Sequence, residues 1–568
     1  MPDFLSRNRG LTALIAVLLA AGATACGSSG GGGGTVDGSG GGSTSASSGP
    51  SGGTLVVGAE QEPDCADWIA VCAGNIWGSY TMQVTTLPTA FDTRKQDGRW
   101  ALVPSDVLAG EPTVEVSGGK QTITYRIAPE AVWSDGTPIS SRDFAYTALQ
   151  IRDGEGIFDK TGYDLIESVE TPDEKTAVVK LRTTYGPWRA LFGGSYSLLP
   201  DHLLRGRDRA KIMKDGYSFS GGPWKIEKWQ KGNSVTLVPN DRYWGEKPKL
   251  DKVVFQFIPD TSAAFQALKS GQVQSLYPTP QLDAISQIKA GIPNTRVEVD
   301  AETGNLEALW MNDARFPLDD EAVRKALAYA VDRKAIVERL YGPLGVSDPA
   351  QSFVTPLVGA FAGSDFDVYA PDPAKVQELM TGAGWSRGGD GIWAKDGRKA
   401  EMTITSLAGN KRRELTEQVL QQQLREAGFA LKITNTTPAE IFSKLAPAGD
   451  FQLGLWTLID QYPEPALSAS FSSTSIPTKA NGNSGINFYR ANVPGLDAEL
   501  RTVDTSTDQA TRRAASLRAD ALIAAAVPSL PIATVPNVLM TSDALGGPIS
   551  INPSEGPWWN LEEWTRGQ

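Results

Sequence analysis

Histidine is almost missing from this 568-residue chain, and His202 is the only one. An HExxH zinc site is therefore excluded, and a lone imidazole beside Leu203 reads as structural rather than catalytic. Cysteine is nearly as scarce, with Cys26, Cys65 and Cys72 alone, so no metal site and no cofactor is expected. Basic charge is also short: 53 Lys and Arg stand against 65 Asp and Glu, a net charge of −12. That balance argues against a nucleic-acid partner, because phosphate recognition needs basic patches; plain solubility explains the acidity. After the first 26 residues no apolar run approaches the ~20 residues of a membrane span. The chain has no GxxxxGK[ST] loop, no GxGxxG opening a helix after a strand and no GxSxG elbow. Its acidic residues are scattered, so no pair is singled out by spacing as a glycosidase dyad. These absences exclude the named sites and weigh only slightly against an enzyme.

The chain opens with an export signal. Arg7 and Arg9 precede an apolar run from Leu11 to Ala21, and small residues follow it. Ala23-Thr24-Ala25-Cys26-Gly27 resembles a lipobox, which implies that Cys26 is lipidated and anchors the protein to the outer face of the cell membrane. The alternative is an ordinary secretory cleavage near Ala25 that leaves Cys26 as a stray thiol. From Gly27 to Gly53 the residues are almost entirely Gly, Ser and Thr, too polar to bury a core. A coil of that length spans roughly 30 Å end to end and reads as a tether. Cys65 and Cys72, an even pair in an exported chain, are expected to form a disulfide. The remaining 515 or so residues exceed the usual ~100–200 per domain, which predicts two or three domains.

The most informative stretch is KQTITYRIAPEAVWSDGTPISSRDFAYTALQ, from Lys120 to Gln150. Thr122, Thr124 and Arg126 alternate with Ile123, Tyr125 and Ile127, the period of a half-buried strand. Ser134-Asp135-Gly136-Thr137-Pro138 is a turn. Ser140 or Ser141 then caps a helix with Asp143 in its first turn, where the helix dipole favours an acid.

This order of residues is similar to the signature of the family 5 extracytoplasmic solute-binding proteins of ABC importers, which include oligopeptide-, dipeptide- and nickel-binding members. Two later stretches resemble the same family. One runs from Gly221-Gly222-Pro223-Trp224 through Asn240, Tyr243-Trp244-Gly245 and Lys249-Leu250-Asp251 to Ala267-Leu268-Lys269-Ser270-Gly271. The other is Asp320 to Arg333, whose Val323, Leu327, Ala330 and Val331 recur at helical spacing, with Arg324 and Lys325 read as facing outward.

The resemblance implies an α/β, two-lobed periplasmic-binding-protein-like fold of type II, cluster C, with an extra small domain in the first lobe. The first lobe is expected to span 54–304 and 532–568, with the extra domain at about 91–185, and the second lobe 305–531. The ligand stretch is expected at Gly454-Leu455-Trp456-Thr457-Leu458-Ile459-Asp460-Gln461-Tyr462, which resembles the family's G-W-x-x-D segment. By that resemblance Asp460 pairs with a peptide ammonium and Trp456 lines the pocket, while backbone from Thr457 to Ile459 bonds an extended peptide; Tyr462 and, at the exit of the first strand, Glu60 complete the expected site. Here Asp460 follows Trp456 by four residues where three is common. The plainer reading makes Trp456 core and Asp460 a turn residue. Trp68, Trp77 and Trp310 are further candidates for a cleft wall. The expected function is capture of peptides outside the membrane and delivery to an ABC permease and its ATPase, by a monomer. One alternative keeps the fold and changes the cargo to a nickel chelate, a sugar or another small solute; another is a secreted hydrolase or surface adhesin.

Overall fold

A computed structural model describes residues 52–96, 99–194, 196–278, 282–301, 303–460 and 463–567. The signal, Cys26, most of the tether and Tyr462 lie outside the described residues.

Two principal sheets organise the chain. A seven-stranded sheet has the order Thr295–Asp300, Asn537–Ser542, Ser275–Leu276, Thr54–Ala59, Lys252–Phe257, Ser234–Pro239, Trp224–Gln230. A five-stranded sheet has the order Ala430–Ile433, Glu401–Thr405, Leu453–Ile459, Asn305–Met311, Ser529–Thr534. Their cores are separate: one buried cluster gathers apolar residues from Leu306 to Val535, and another those from Leu55 to Phe255 together with Leu545, Trp558, Leu561 and Trp564. The molecule therefore has two lobes. The chain passes between the sheets twice, once between Asp300 and Asn305 and once between Thr534 and Asn537. Gly304 sits in the first crossing, where a Cβ would fall 2.3 Å from the carbonyl oxygen of Asp460; only glycine fits so close a backbone approach.

The 120–150 stretch folds as its pattern dictates. Lys120–Arg126 is a strand with Gln121, Ile123 and Tyr125 buried, paired to Thr113–Ser117 and Thr176–Leu181 in a four-stranded sheet of the first lobe. Gly136 has φ 92° in the turn, and Asp135 accepts from Thr137 N at 2.9 Å. Ser140 caps the helix Ser141–Asp153, and its N–H donates to Asp143 Oδ2 at 2.8 Å. The Asp143 carboxylate also takes Asp201 N at 2.7 Å, so the acid is structural. His202 lies 2.9 Å from Asp135 Oδ2, holding that turn.

Cys65 and Cys72 are joined by a disulfide. One sequence expectation is overturned by packing. Arg324, on the helix Glu321–Ala330, is only 7% exposed. Its guanidinium donates to the Leu318 carbonyl and to the Ala526 and Val527 carbonyls at the end of the helix Gln509–Ala526, and it pairs with Asp313. Carbonyls left over at a helix end need donors, and Arg324 supplies them from the buried side. Lys325, half-buried, pairs with Glu321 at the surface.

Candidate functional site

The strand Leu453–Ile459 carries the site. It is antiparallel to Asn305–Met311 along its whole length, but on its other edge Glu401–Thr405 reaches only Leu453 and Gly454. From Trp456 to Ile459 that edge has no strand partner among the described residues. Gly454 is required by the side chain that follows it, since a Cβ there would lie 1.9 Å from the Trp456 ring. The indole thus folds back over its own strand, stacks on Trp310 with centroids 6.3 Å apart, and meets Phe442 and Phe451 edge-on. Trp310 Nε1 donates to the Trp456 carbonyl at 2.9 Å.

Residues of both lobes line two adjoining cavities that share Trp456, Thr457, Ile459, Phe442, Gly74 and Ile76. The smaller, about 150 Å³, is bounded by Trp77, Tyr80 and Tyr277 of the first lobe and by Asn410, Arg412 and Arg413 of the second. The larger, about 290 Å³, is walled by aromatics, among them Trp68, Tyr163, Tyr196, Trp310 and Tyr489. Hydrogen bonds join the lobes around this space: Ser443 Oγ to Asp64 Oδ2 at 2.9 Å, Ile157 N to Ser484 Oγ at 3.0 Å, and Gly186 N to the Asp504 carbonyl at 2.7 Å.

Beneath the smaller cavity lies a buried ionic cluster. Glu307, 1% exposed, accepts from Arg412 Nη2 at 2.8 Å, Arg413 Nε at 2.6 Å and the Thr457 hydroxyl at 2.8 Å. Burial pushes the Glu307 carboxyl up, but the Arg412 and Arg413 guanidiniums outweigh it and hold it at about 2. Arg413 Nη2 donates to Thr457 Oγ1 at 2.9 Å, so the cluster fixes a residue that both cavities share. Two guanidiniums meet one carboxylate here, and Arg412 keeps Nε and Nη1 without hydrogen bonds. The sequence held a signal for this: Lys411-Arg412-Arg413 opens the helix Lys411–Ala427, where the dipole disfavours cations. An anion supplied by another element resolves the conflict.

Of the expected site residues, the structure brings Trp456, Thr457 and Ile459 to both cavities. Trp68 and Trp310 line the larger and Trp77 the smaller. Asp460 lines neither. It is wholly buried, and its oxygens accept from Thr355 N and Ala466 N, each at 2.8 Å. Burial raises its carboxyl to about 6 against those two backbone donors. Glu60 borders a small recess with Tyr277 and Pro278. Among the described residues no three His, Cys, Asp or Glu side chains are grouped to hold a metal ion, and no helix is long and apolar enough to cross a membrane.

Residues 103–478 match the model of the bacterial extracellular solute-binding proteins, family 5 middle region. The oligopeptide-binding protein OppA of Mycobacterium tuberculosis is 26% identical over 501 residues, covering 82% of each chain. The oligopeptide-binding protein AppA from Bacillus subtilis, solved with a nonapeptide, superposes with a TM-score of 0.79 at 21% identity, over 92% of this chain and 100% of that one. NikZ from Campylobacter jejuni, solved with Ni(L-His), gives 0.75 at 19% identity, over 90% and 99%. These likenesses establish the two-lobed binding-protein fold.

Proposed function

The chain belongs to the bacterial extracellular solute-binding proteins of family 5, and from that premise we propose that it captures peptides outside the cell membrane and delivers them to an ABC permease driven by an ATPase. The observation that carries the peptide reading is the unpaired edge of Trp456–Ile459 beside the two cavities. An extended peptide laid along that edge gains main-chain hydrogen bonds whatever its side chains, while the cavities select among side chains. The curated relatives named for oligopeptide binding support the same cargo.

In this reading no covalent chemistry occurs. Ligand is bound by both lobes only when they meet, so binding draws the protein toward the closed state by its differential affinity. The crossings at 301–304 and 535–536 serve as the hinge, and the first lobe is formed by residues 54–304 and 535–568 rather than resuming at 532 as expected from the sequence, because Ser529–Thr534 is an edge strand of the five-stranded sheet. Trp456, Thr457 and Ile459 are the ligand-contacting residues. Asp460 takes the backbone N–H groups of Thr355 and Ala466 rather than an ammonium, and Glu60 lies at the margin of the site. The protein acts as a monomer anchored by lipid on Cys26.

The test is a thermal-shift titration of protein stripped of ligand by unfolding and refolding, against a mixed pentapeptide pool, nickel–histidine and a neutral disaccharide. A ligand that binds only the native state raises the midpoint. A rise with the peptides alone is expected; a rise with nickel–histidine or the sugar and none with peptides refutes the cargo.

A further inference from the structure

The larger cavity has a charge its walls do not explain. Its charged lining residues are Asp159, Glu464 and Asp504, with no Lys, Arg or His among them. Glu464 is neutralised from behind by Arg512, which forks onto it and also donates to the Val503 carbonyl at 2.7 Å. Among the described residues neither Asp159 nor Asp504 has a cation hydrogen-bonded to it, and Arg512 acts on Asp504 only through space. Asp159 accepts at Oδ1 from Thr161 N at 2.9 Å and Thr161 Oγ1 at 2.7 Å, and these neutral donors leave its charge uncompensated. Asp504, on the helix Leu496–Thr505 of the second lobe, is pushed up to about 7 by burial, with Asp159 and Asp164 adding like charge. The Ser468 hydroxyl beside it eases that shift yet makes no well-aligned hydrogen bond, and Ser470 Oγ, fully buried in the same wall, makes none either.

Like charges brought together across a cleft disfavour its closing unless a cation lies between them. Every other feature of the wall suits a cation carried on an apolar stem. Ring faces of Trp and Tyr attract cations when water is excluded, and Trp68, Tyr163, Tyr185, Trp310, Trp456 and Tyr489 all border the space. The two serine hydroxyls can accept from an ammonium. We infer that the larger cavity is a specificity pocket for a cationic side chain of the bound peptide, held between Asp159 of one lobe and Asp504 of the other. Because the cation meets both carboxylates only when the lobes touch, the pocket couples charge recognition to closure. This inference rests on the peptide-capture reading above.

Two doubly blocked pentapeptides separate it from that reading: acetyl-Ala-Ala-Lys-Ala-Ala-amide and the same peptide with norleucine for lysine, with spermidine as a peptide-free amine. Affinities are taken by calorimetry and by quenching of the cavity tryptophans in the full mature protein. The lysine peptide is expected to bind at least tenfold more tightly than the norleucine peptide. Asp504→Asn and Asp159→Asn each lower its affinity by about 30-fold or more, as for a lost partner of a desolvated ion pair, whereas the norleucine peptide binds no more weakly, since each change removes one of the like charges that oppose closing. Asp504→Glu keeps the charge and retains most of the preference, which guards against a folding defect. Equal binding of the two peptides, or a lysine preference that survives both Asn variants, overturns the cationic pocket and leaves peptide capture standing. Spermidine binding that depends on Asp504, with neither peptide bound, supports the pocket and overturns the peptide cargo. Failure of all three probes to bind overturns the inference.

Discussion

Replacing Glu307 by glutamine keeps the shape of the side chain and removes the charge on which two buried guanidiniums converge. Arg412 and Arg413 are 2% and 6% exposed, so neither can turn to water without disrupting the helix Lys411–Ala427. The size of the effect follows from Glu307 itself. A carboxyl moved from 4.5 to about 2 on folding corresponds to about 3 kcal/mol of stability at ~1.4 kcal/mol per tenfold, and breaking a buried pair by removing one partner costs about 3–5 kcal/mol in general. Because the folded-state value is depressed, this stability is fully present above 4.5 and is lost as the pH falls toward 2. Urea unfolding of wild type and Glu307→Gln should therefore differ by about 3 kcal/mol at pH 7, and by progressively less between pH 4.5 and pH 3. Peptide affinity should fall as well, since Thr457 exchanges a charged acceptor for a neutral amide. A difference below about 1 kcal/mol at pH 7, or one independent of pH, refutes the view that this cluster holds the floor of the site.

Asp460→Asn should lower stability by about 1–3 kcal/mol, because one of two backbone N–H groups loses its acceptor, and should weaken free-amine and N-acetylated peptides equally; a loss confined to the free-amine peptide would restore Asp460 as an ammonium anchor. Asp460 and Asp520 are raised to about 6 and Glu417 to about 7 by burial, so the folded state binds more protons than the unfolded one between about pH 4 and 7. The melting temperature should therefore rise as pH is lowered from 8 to about 5, and a flat or opposite trend in a pH series of thermal scans contradicts this. Cys65→Ser with Cys72→Ser should cost about 2–3 kcal/mol for so short a loop, and denatured wild type lacking Cys26 should show no free thiol; two titratable thiols would show the bridge to be absent. Cys26→Ser should move the protein from the membrane fraction to the medium with its melting temperature unchanged, and unchanged retention would refute the lipid anchor.

Much of this was legible because it is local. The alternation from Gln121 to Tyr125, the Asp135-Gly136 turn and the Ser140 cap with Asp143 each depend on residues within a few positions, where strand period and helix-end chemistry act. Trp456 borders both cavities, and only the segment around it, not its own type, singled it out among 15 tryptophans. The charge pattern of the site was not. Glu307 meets Arg412 across 105 residues of chain, and Asp159 faces the same cavity as Asp504 from the other lobe. Arg324 shows the same limit, since helical periodicity placed it outward whereas carbonyls from another helix end drew it inward. Asp460 falls outside both cavities for a related reason: a carboxylate in a ligand motif and one that takes backbone N–H groups look alike until Thr355 and Ala466 are positioned in space.

Native mass spectrometry of the mature protein, purified without denaturation, tests peptide capture most directly. The account predicts a protein peak carrying adducts that are released on unfolding and sequence as peptides, enriched in lysine or arginine. Protein that carries no adduct, and that retains no peptide after incubation with a tryptic digest and desalting, would contradict it.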